Sequence, residues 1–250
     1  MHFVGYAQMS KTVDELIEHL FTKLRLERAA AESAPKMTRK PCITIARDPG
    51  SGGKPIAEEV AHKLGFDFYD RKLIEAIAKS ARQRKRVIAN VDERIRTSIE
   101  DLIHGLFNPE YISDTTYINN LSQVVLSLIH QGNAVILGRG TNFIAPHNSC
   151  LSALVTAPKK IRIERAIQYE HINRDKAINT INKISKERRD FVSQYFGKNY
   201  DNPKYYDLVV NTRYLDIDAA SNLIISAFRK KFPNLAERAK ITLQKTTRWY

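Results

Sequence analysis

Short apolar runs alternate with stretches of helical periodicity from Cys42 to about residue 231, and this alternation constrains the fold more than any other feature. The runs are rich in β-branched or aromatic residues, and they read CITIAR, FDFY, AVILG, LSALVT and DLVVN. Such strands are typical of parallel sheets covered on both faces. Between them, apolar spacing predicts helices near 54–64, 71–80, 91–106, 115–131, 158–171, 175–195 and 216–231. The expected fold is therefore α/β, with a five-stranded parallel sheet flanked by helices.

The composition excludes several classes of protein. Hydrophobic residues make up 43% of the 250, with only 10 glycines and 9 prolines, which excludes a disordered or collagen-like chain. No apolar run reaches the roughly 18 residues that a membrane helix needs, and the first residues lack the pattern of a secretory signal. Cys42 and Cys150 form no metal-binding pattern and begin apolar runs. We therefore expect buried free thiols in a cytoplasmic protein, and no structural zinc.

The charge is strongly positive, with 40 lysines and arginines against 27 acidic residues and a formal net charge of +13. This excess predicts a polyanionic partner; nucleic acid, an anionic surface and the phosphates of small ligands all satisfy it. Residues 159–189 and 229–250 each contribute +6. A solvated charged face is the simpler interpretation of the second stretch.

Two terminal segments lie outside the alternating pattern. In residues 1–40, apolar positions between 13 and 24 have helical spacing, which predicts one amphipathic helix followed by a linker between Pro35 and Pro41. Such a helix would pack on the core or on a second subunit, so a monomer or a homodimer is expected, without a membrane partner. Residues 233–250 form a basic tail, which leaves 41–232 as the main domain.

A glycine-rich loop follows the first predicted strand. The sequence DPGSGGKP at 48–55 connects Arg47 to a helical pattern. Glycines in this position let successive backbone N–H groups face one phosphate, while the helix dipole and a lysine add positive charge. A tight turn without a ligand is the alternative. The residues expected to bind the phosphates of ATP are Gly50, Ser51, Gly52, Gly53, Lys54 and Pro55.

The loop resembles the P-loop pattern GxxxxGK[ST] with two departures. The pattern requires glycine at position 48 and a hydroxyl residue at position 55, where this chain has Asp48 and Pro55. That hydroxyl usually binds Mg²⁺ directly. We therefore expect no direct protein ligand to the metal, and Mg²⁺ held by phosphates and water.

Three further segments strengthen the resemblance that begins with ITIARDPGSGGKPIAEEVAHKLGFDFYDRKLIEAIA at 43–78. They are AVILGRGTNFI at 134–144, LVTAPKKIRIERA at 154–166 and KERRDFVSQYFGKNYDNPKYYDLVVNTRYLDIDAASNLI at 186–224. In this order the four segments resemble the cytidylate kinase-like family, a branch of the P-loop nucleoside monophosphate kinases. The resemblance implies a P-loop NTPase fold with a helical acceptor-binding insert at 79–130 and a short lid at 171–190.

The resemblance also implies residues on the acceptor side. Asp70 and Arg71 follow the second strand, where the family binds the nucleotide that accepts the phosphate. Asp70 equally suits the N-cap of the next helix, and both roles are compatible. Arg139 follows the third strand, and its guanidinium is expected to hold the acceptor phosphate or the transition state, with a structural salt bridge as the alternative.

The same resemblance implies a function for the basic stretch 159–189. Relatives close an arginine-bearing lid over the phosphates, and Arg188 and Arg189 match its position best, while Arg165 is expected to flank the ATP base. A solvated surface position is the alternative for each of these arginines. Phosphoryl transfer depends on placed cations more than on a covalent catalyst. The residues expected to act in catalysis are Lys54, Arg139, Arg188 and Arg189.

The implied function is transfer of the γ-phosphate of Mg·ATP to CMP or dCMP. The preference for cytosine rests on the family resemblance alone. Two alternatives stay open: a kinase for another small metabolite, and a basic nucleotide- or RNA-binding regulator without turnover.

Overall fold

The computed structural model describes residues 40–89, 115–138 and 140–233, together with the single positions 22, 91, 97, 99 and 103. The predicted N-terminal helix, most of the helix predicted at 91–106 and the tail after residue 233 lie outside the described residues.

Strands and helices alternate along the described chain. The strands are β1 (Cys42–Arg47), β2 (Asp67–Tyr69), β3 (Ala134–Leu137), β4 (Cys150–Thr156) and β5 (Leu208–Asn211). The helices are α1 (Gly53–Leu64), α2 (Arg71–Lys79), α3 (Ala81–Ala89), α4 (Thr115–Gln131), α5 (Thr141–Ile144), α6 (Lys159–Glu170), α7 (Arg174–Phe196) and α8 (Ile217–Lys231). Every predicted strand, and every predicted helix within the described residues, agrees with the structure to within one residue at each end. The short helices α3 and α5 were not predicted, because neither carries an extended apolar stripe.

The strands form one parallel sheet in the order β2-β3-β1-β4-β5, which confirms the predicted fold class. Strand β1 is central, and Ile43 lies opposite Val135 of β3 and Leu151 of β4. Because all the strands are parallel, their carboxyl ends meet at one edge. Ligands of open α/β sheets bind beyond that edge.

Helices cover both faces of the sheet. Successive side chains of β1 point to opposite faces, so this strand contributes to the core on each side. Ile43 and Ile45 are fully buried in a core shared with α1 and α8, whereas Cys42 packs on the opposite side with α2 and α4. Burial of each isoleucine side chain contributes roughly 1.5–3 kcal/mol. Cys42 and Cys150 are register partners and both are buried free thiols, as predicted.

The segments predicted as insert and lid are mainly helical where the structure describes them. In the insert, α3 and α4 pack against α2. The connection between α6 and α7 consists of residues 171–173 only, so most of the predicted lid at 171–190 belongs to α7. Asn173 caps the start of α7 by accepting a hydrogen bond from the Lys176 amide at 2.9 Å, and Gly197 ends it in the left-handed region. Among the described helices, none has the length and apolarity to cross a bilayer.

Candidate active site

The glycine-rich loop turns sharply from the carboxyl end of β1 into the first turn of α1. Gly50 and Gly52 have φ of +77° and +80°, values that favour glycine. A Cβ on Gly50 would also lie 2.7 Å from the carbonyl oxygen of Arg162, so the loop has no room for a side chain there. The first N–H groups of a helix have no intrahelical acceptor and carry the positive end of its dipole. The loop and helix start therefore have the geometry of an anion-binding cradle, and the binding of ATP phosphates by Gly50, Ser51, Gly52, Gly53, Lys54 and Pro55 stays a prediction.

The structure explains the departure at Asp48. Among the described residues, the only non-glycine positions with positive φ are Asn133 and His171, so the backbone at Asp48 needs no glycine. The Asp48 carboxylate accepts a hydrogen bond from the Thr156 hydroxyl at 2.6 Å, and its carbonyl accepts one from the Ser51 hydroxyl at 2.9 Å. Asp48 thus fixes the loop to the end of β4.

Pro55 is accommodated because it lies in the first turn of α1, where a backbone N–H has no intrahelical acceptor. The Ser51 carbonyl accepts hydrogen bonds from the Thr212 hydroxyl at 2.8 Å and from Arg165 Nη1 at 3.3 Å. Arg165 Nη2 also donates to the Thr212 carbonyl at 2.7 Å. The buried Thr212 and the partly exposed Arg165 therefore join the loop to the end of β5. A role of Arg165 at the ATP base stays a prediction.

Lys54 lies at the mouth of the loop with its side chain 58% exposed. Its Nζ is 3.7 Å from Glu58 and 3.8 Å from Asp70, distances typical of weak surface ion pairs that a phosphate can replace. Partial burial raises the pKa of Glu58 despite the neighbouring ammonium. Asp70 accepts a hydrogen bond from the Leu73 amide at 3.0 Å, which confirms that it caps α2.

A cavity of about 280 Å³ opens beside the loop, and we call it the arginine pocket. Guanidinium groups from three separate elements line it: Arg47 ends β1, Arg71 begins α2, and Arg188 lies on α7. Burial lowers the pKa of Arg188, while burial and the neighbouring Arg188 lower the pKa of Arg47 to about 10. The pocket thus concentrates positive charge beside the glycine-rich loop.

Arg188 and Arg189, which the sequence could not distinguish, have different surroundings. Arg188 donates from Nη1 to the carbonyl of Arg47 and lines the pocket. Arg189 is half exposed and lies 3.7 Å from the Asp201 carboxylate, and it is absent from the lining. Consecutive helical residues point about 100° apart, so a helix can direct only one of the two at the pocket.

Arg139 lies outside the described residues, and its role stays a prediction. The glycines on either side of it, Gly138 and Gly140, both line the arginine pocket. Both have positive φ, and a Cβ on Gly140 would lie 2.5 Å from the ring of Phe196. The chain is therefore held against the pocket immediately before and after Arg139.

Two residues of the site were missed by sequence reasoning. Arg47 is a charged residue at the carboxyl end of a mostly apolar strand, and this position could have been used to predict that it belongs to the site. Tyr200 had no such signal. Its buried hydroxyl donates to the Arg47 carbonyl at 2.5 Å, and burial raises its pKa. Only tertiary packing brings it to the pocket wall.

The parallel strand order and the glycine-rich loop between β1 and α1 define a P-loop fold. The model of the cytidylate kinase-like family matches residues 42–214, and the chain belongs to that family.

Named relatives extend this comparison. The chain is 29% identical over 195 residues to a cytidylate kinase of Staphylothermus marinus, covering 76% of this chain and 97% of that one. It is 24% identical to a cytidylate kinase of Sulfolobus acidocaldarius, covering 76% and 94%. A crystal structure of an uncharacterized protein from Eubacterium ventriosum has a TM-score of 0.52 at 21% identity, covering 75% and 97%, and so shares the fold.

Proposed function

We propose that this chain transfers the γ-phosphate of ATP to CMP or dCMP. The observation that carries the proposal is the pair of adjacent anion sites, one made of backbone and Lys54 and the other of guanidinium groups. The first suits the phosphates of a donor nucleotide and the second suits the phosphate of an acceptor. The names of the relatives from Staphylothermus and Sulfolobus support cytosine as the acceptor base.

The reaction requires charge stabilisation more than proton transfer. An oxygen of the acceptor phosphate bonds to the γ-phosphorus while the bond from that phosphorus to the β,γ-bridging oxygen breaks, and ADP leaves with the electron pair. The acceptor phosphate is ionised at neutral pH, so no general base is required. Negative charge is spread over phosphate oxygens in the transition state, and Lys54, Arg71 and Arg188 are among the described cations that offset it.

The residues of the loop are compatible with an Mg²⁺ ion that binds as a complex with ATP. Pro55 has no hydroxyl, the Ser51 hydroxyl donates to the Asp48 carbonyl, and the described residues contain no group of three potential metal ligands. Phosphate oxygens and water would therefore hold the ion, which neutralises charge on the β- and γ-phosphates when bound. The chain's own task is to bind and align the two nucleotides.

The test is a panel assay with purified protein. ADP formation is measured with Mg·ATP and, in separate reactions, CMP, dCMP, UMP, AMP and GMP, with EDTA as a control. We expect turnover that depends on Mg²⁺ and is fastest with CMP or dCMP. Preference for a different acceptor would overturn the cytosine assignment. Nucleotide binding without turnover would overturn the kinase proposal in favour of a regulator, and a steep loss of RNA affinity with rising salt would identify nucleic acid as its partner.

A further inference from the structure

Arg47 carries a partly buried charge that makes no ion pair with any residue that the structure describes. Among the residues that the structure describes, no carboxylate oxygen lies within 4 Å of its guanidinium, and no hydrogen bond leaves that group. Arg188 and Arg71 disfavour the charge while Tyr200 and Asp70 favour it, and with the effect of burial the pKa of Arg47 is lowered to about 10. A buried ion without a partner costs several kcal/mol. An arrangement of this kind is stable in a working protein when a ligand supplies the missing charge.

Two acidic residues near Arg47 have other partners. Asp48 accepts from Thr156, and Asp70 caps α2 while facing Lys54 at 3.8 Å. Glu187 also lines the pocket, but it is exposed and makes no described ion pair. The pocket wall therefore offers more cationic than anionic groups.

The backbone makes room for the Arg47 side chain. A Cβ on Gly138, at the end of β3, would overlap the Arg47 guanidinium. Arg47 therefore reaches from the central strand across to the turn after β3, on the side of the sheet where Arg71 begins α2. The stem of Arg47 packs against Gly53 of the glycine-rich loop, where an added Cβ would overlap the Arg47 Cβ, and the residue lines the pocket assigned to the acceptor.

We propose that Arg47 is a further catalytic residue, whose guanidinium binds the phosphate of the acceptor nucleotide together with Arg71 and Arg188. This inference rests on the proposed function. Two parallel N–H···O bonds from a guanidinium fix the orientation of a phosphate as well as its charge. Arg47 thereby aligns the attacking oxygen with the γ-phosphorus held by the loop.

The decisive experiment compares Arg47→Met and Arg47→Lys with the wild type, using Arg229→Met on the exposed end of α8 as the matched control. Methionine keeps the apolar stem and removes the charge. We expect Arg47→Met to raise the KM for CMP about 10- to 100-fold, since a hydrogen bond to a charged group is lost. The KM for ATP should stay within about 3-fold, and Arg47→Lys should recover part of the loss.

Thermal unfolding without ligands separates this role from a structural one. Removing a partly buried charge that has no described ion pair should leave the Tm of Arg47→Met equal to or above that of the wild type. A lower Tm in both Arg47 variants with an unchanged KM for CMP would show that Arg47 is structural. A rise in the KM for ATP instead of the KM for CMP would show that Arg47 binds the donor nucleotide. Either result overturns the inference.

Binding of inorganic phosphate distinguishes failure of this inference from failure of the proposed function. The Lys54→Met substitution weakens phosphate binding at the glycine-rich loop. In this background, the rise in Tm caused by added phosphate therefore reports mainly on phosphate binding in the arginine pocket. We expect Lys54→Met to retain that stabilisation and Lys54→Met/Arg47→Met to lose it. If the panel shows no kinase activity but this difference persists, the proposed function fails while Arg47 remains an anion-binding residue. Equal stabilisation in both variants overturns the inference whatever the panel shows.

Discussion

The glycine-rich loop and the arginine pocket lie side by side at the carboxyl edge of the sheet, but they present positive charge in different ways. The loop uses backbone N–H groups and one lysine whose side chain is more than half exposed. The pocket uses side-chain guanidinium groups, two of which, Arg47 and Arg188, have pKa values lowered by burial. One region is built from consecutive residues, and the other from elements that are far apart in the chain.

The two regions are therefore expected to differ in how they affect the stability of the folded protein and its affinity for phosphate. Peptide dipoles at a helix start are part of the folded backbone, so a cradle made of them adds little electrostatic strain. Buried guanidinium groups destabilise the free protein until an anion arrives. Changes in the loop should therefore damage both folding and catalysis when they alter the backbone, whereas changes in the pocket should damage catalysis alone.

The largest effect is expected from Lys54→Met. Lys54 is the described cation at the mouth of the loop, and its loss should lower turnover by about 10³-fold because charge developing on the transferred phosphate is no longer offset. The Tm should change little, since the two ion pairs of Lys54 are long and exposed. Turnover and thermal unfolding are measured for this variant and for Lys230→Met, an exposed control on α8. Activity near that of the control would remove Lys54 from the site.

A second comparison tests the pocket with adjacent residues. Arg188→Met should lower kcat/KM for the acceptor about 10²-fold, while Arg189→Met should cost at least ten times less, because Arg188 lines the pocket and Arg189 faces Asp201. Steady-state kinetics with varied CMP at saturating ATP measure both. Equal losses would mean that α7 moves in the complex and brings both arginines to the phosphates, as the predicted lid requires.

Gly50→Ala tests whether the loop backbone tolerates a side chain. The positive φ and the close carbonyl of Arg162 should together lower the free energy of unfolding by about 3 kcal/mol. Gly65→Ala is the matched control, because Gly65 also has a positive φ, of +64°, but no atom lies within 4 Å of its added Cβ. Its cost should be about 1 kcal/mol, from backbone strain alone. Chemical denaturation of both variants gives the difference, and equal losses would contradict the close contact.

The smallest effect concerns the scaffold behind the loop, where Lys63 of α1 donates to Asp218 of α8 at 2.5 Å. This hydrogen bond holds the pKa of Asp218 below its usual 3.8. The contribution is therefore fully present above pH 3.8 and is lost as pH falls through the lower folded pKa. Asp218→Asn should be slightly less stable than the wild type at pH 6 and should converge with it near pH 2. Denaturation at both pH values, with the exposed Glu164→Gln as control, measures this, and a constant difference would contradict it.

The fold and one half of the site could be predicted from local pattern. Continuous apolar runs such as LSALVT gave the buried strands, and their alternation with helices gave the parallel sheet. The loop was predictable because its glycines lie where the backbone requires them, at Gly50 and Gly52. Asp48 departs from the pattern, and the sequence could not show that its carboxylate accepts a hydrogen bond from Thr156 at the end of β4.

The arginine pocket was only partly predictable. Arg71 and Arg188 were chosen from the resemblance, but nothing local separates Arg188 from Arg189. Arg47 and Tyr200 were missed because their places depend on α7 and on residues beyond it packing against the end of β1.

The amino-acid sequence alone determined which segments become strands and helices and where the backbone turns to receive phosphate, because periodicity and glycine conformation act over a few residues. The tertiary structure decided which cations share one pocket and which remain at the surface. Which cations share a pocket depends on the direction in which side chains from distant elements point and on how strongly each charged group is buried. Neighbouring residues in the sequence determine neither of these.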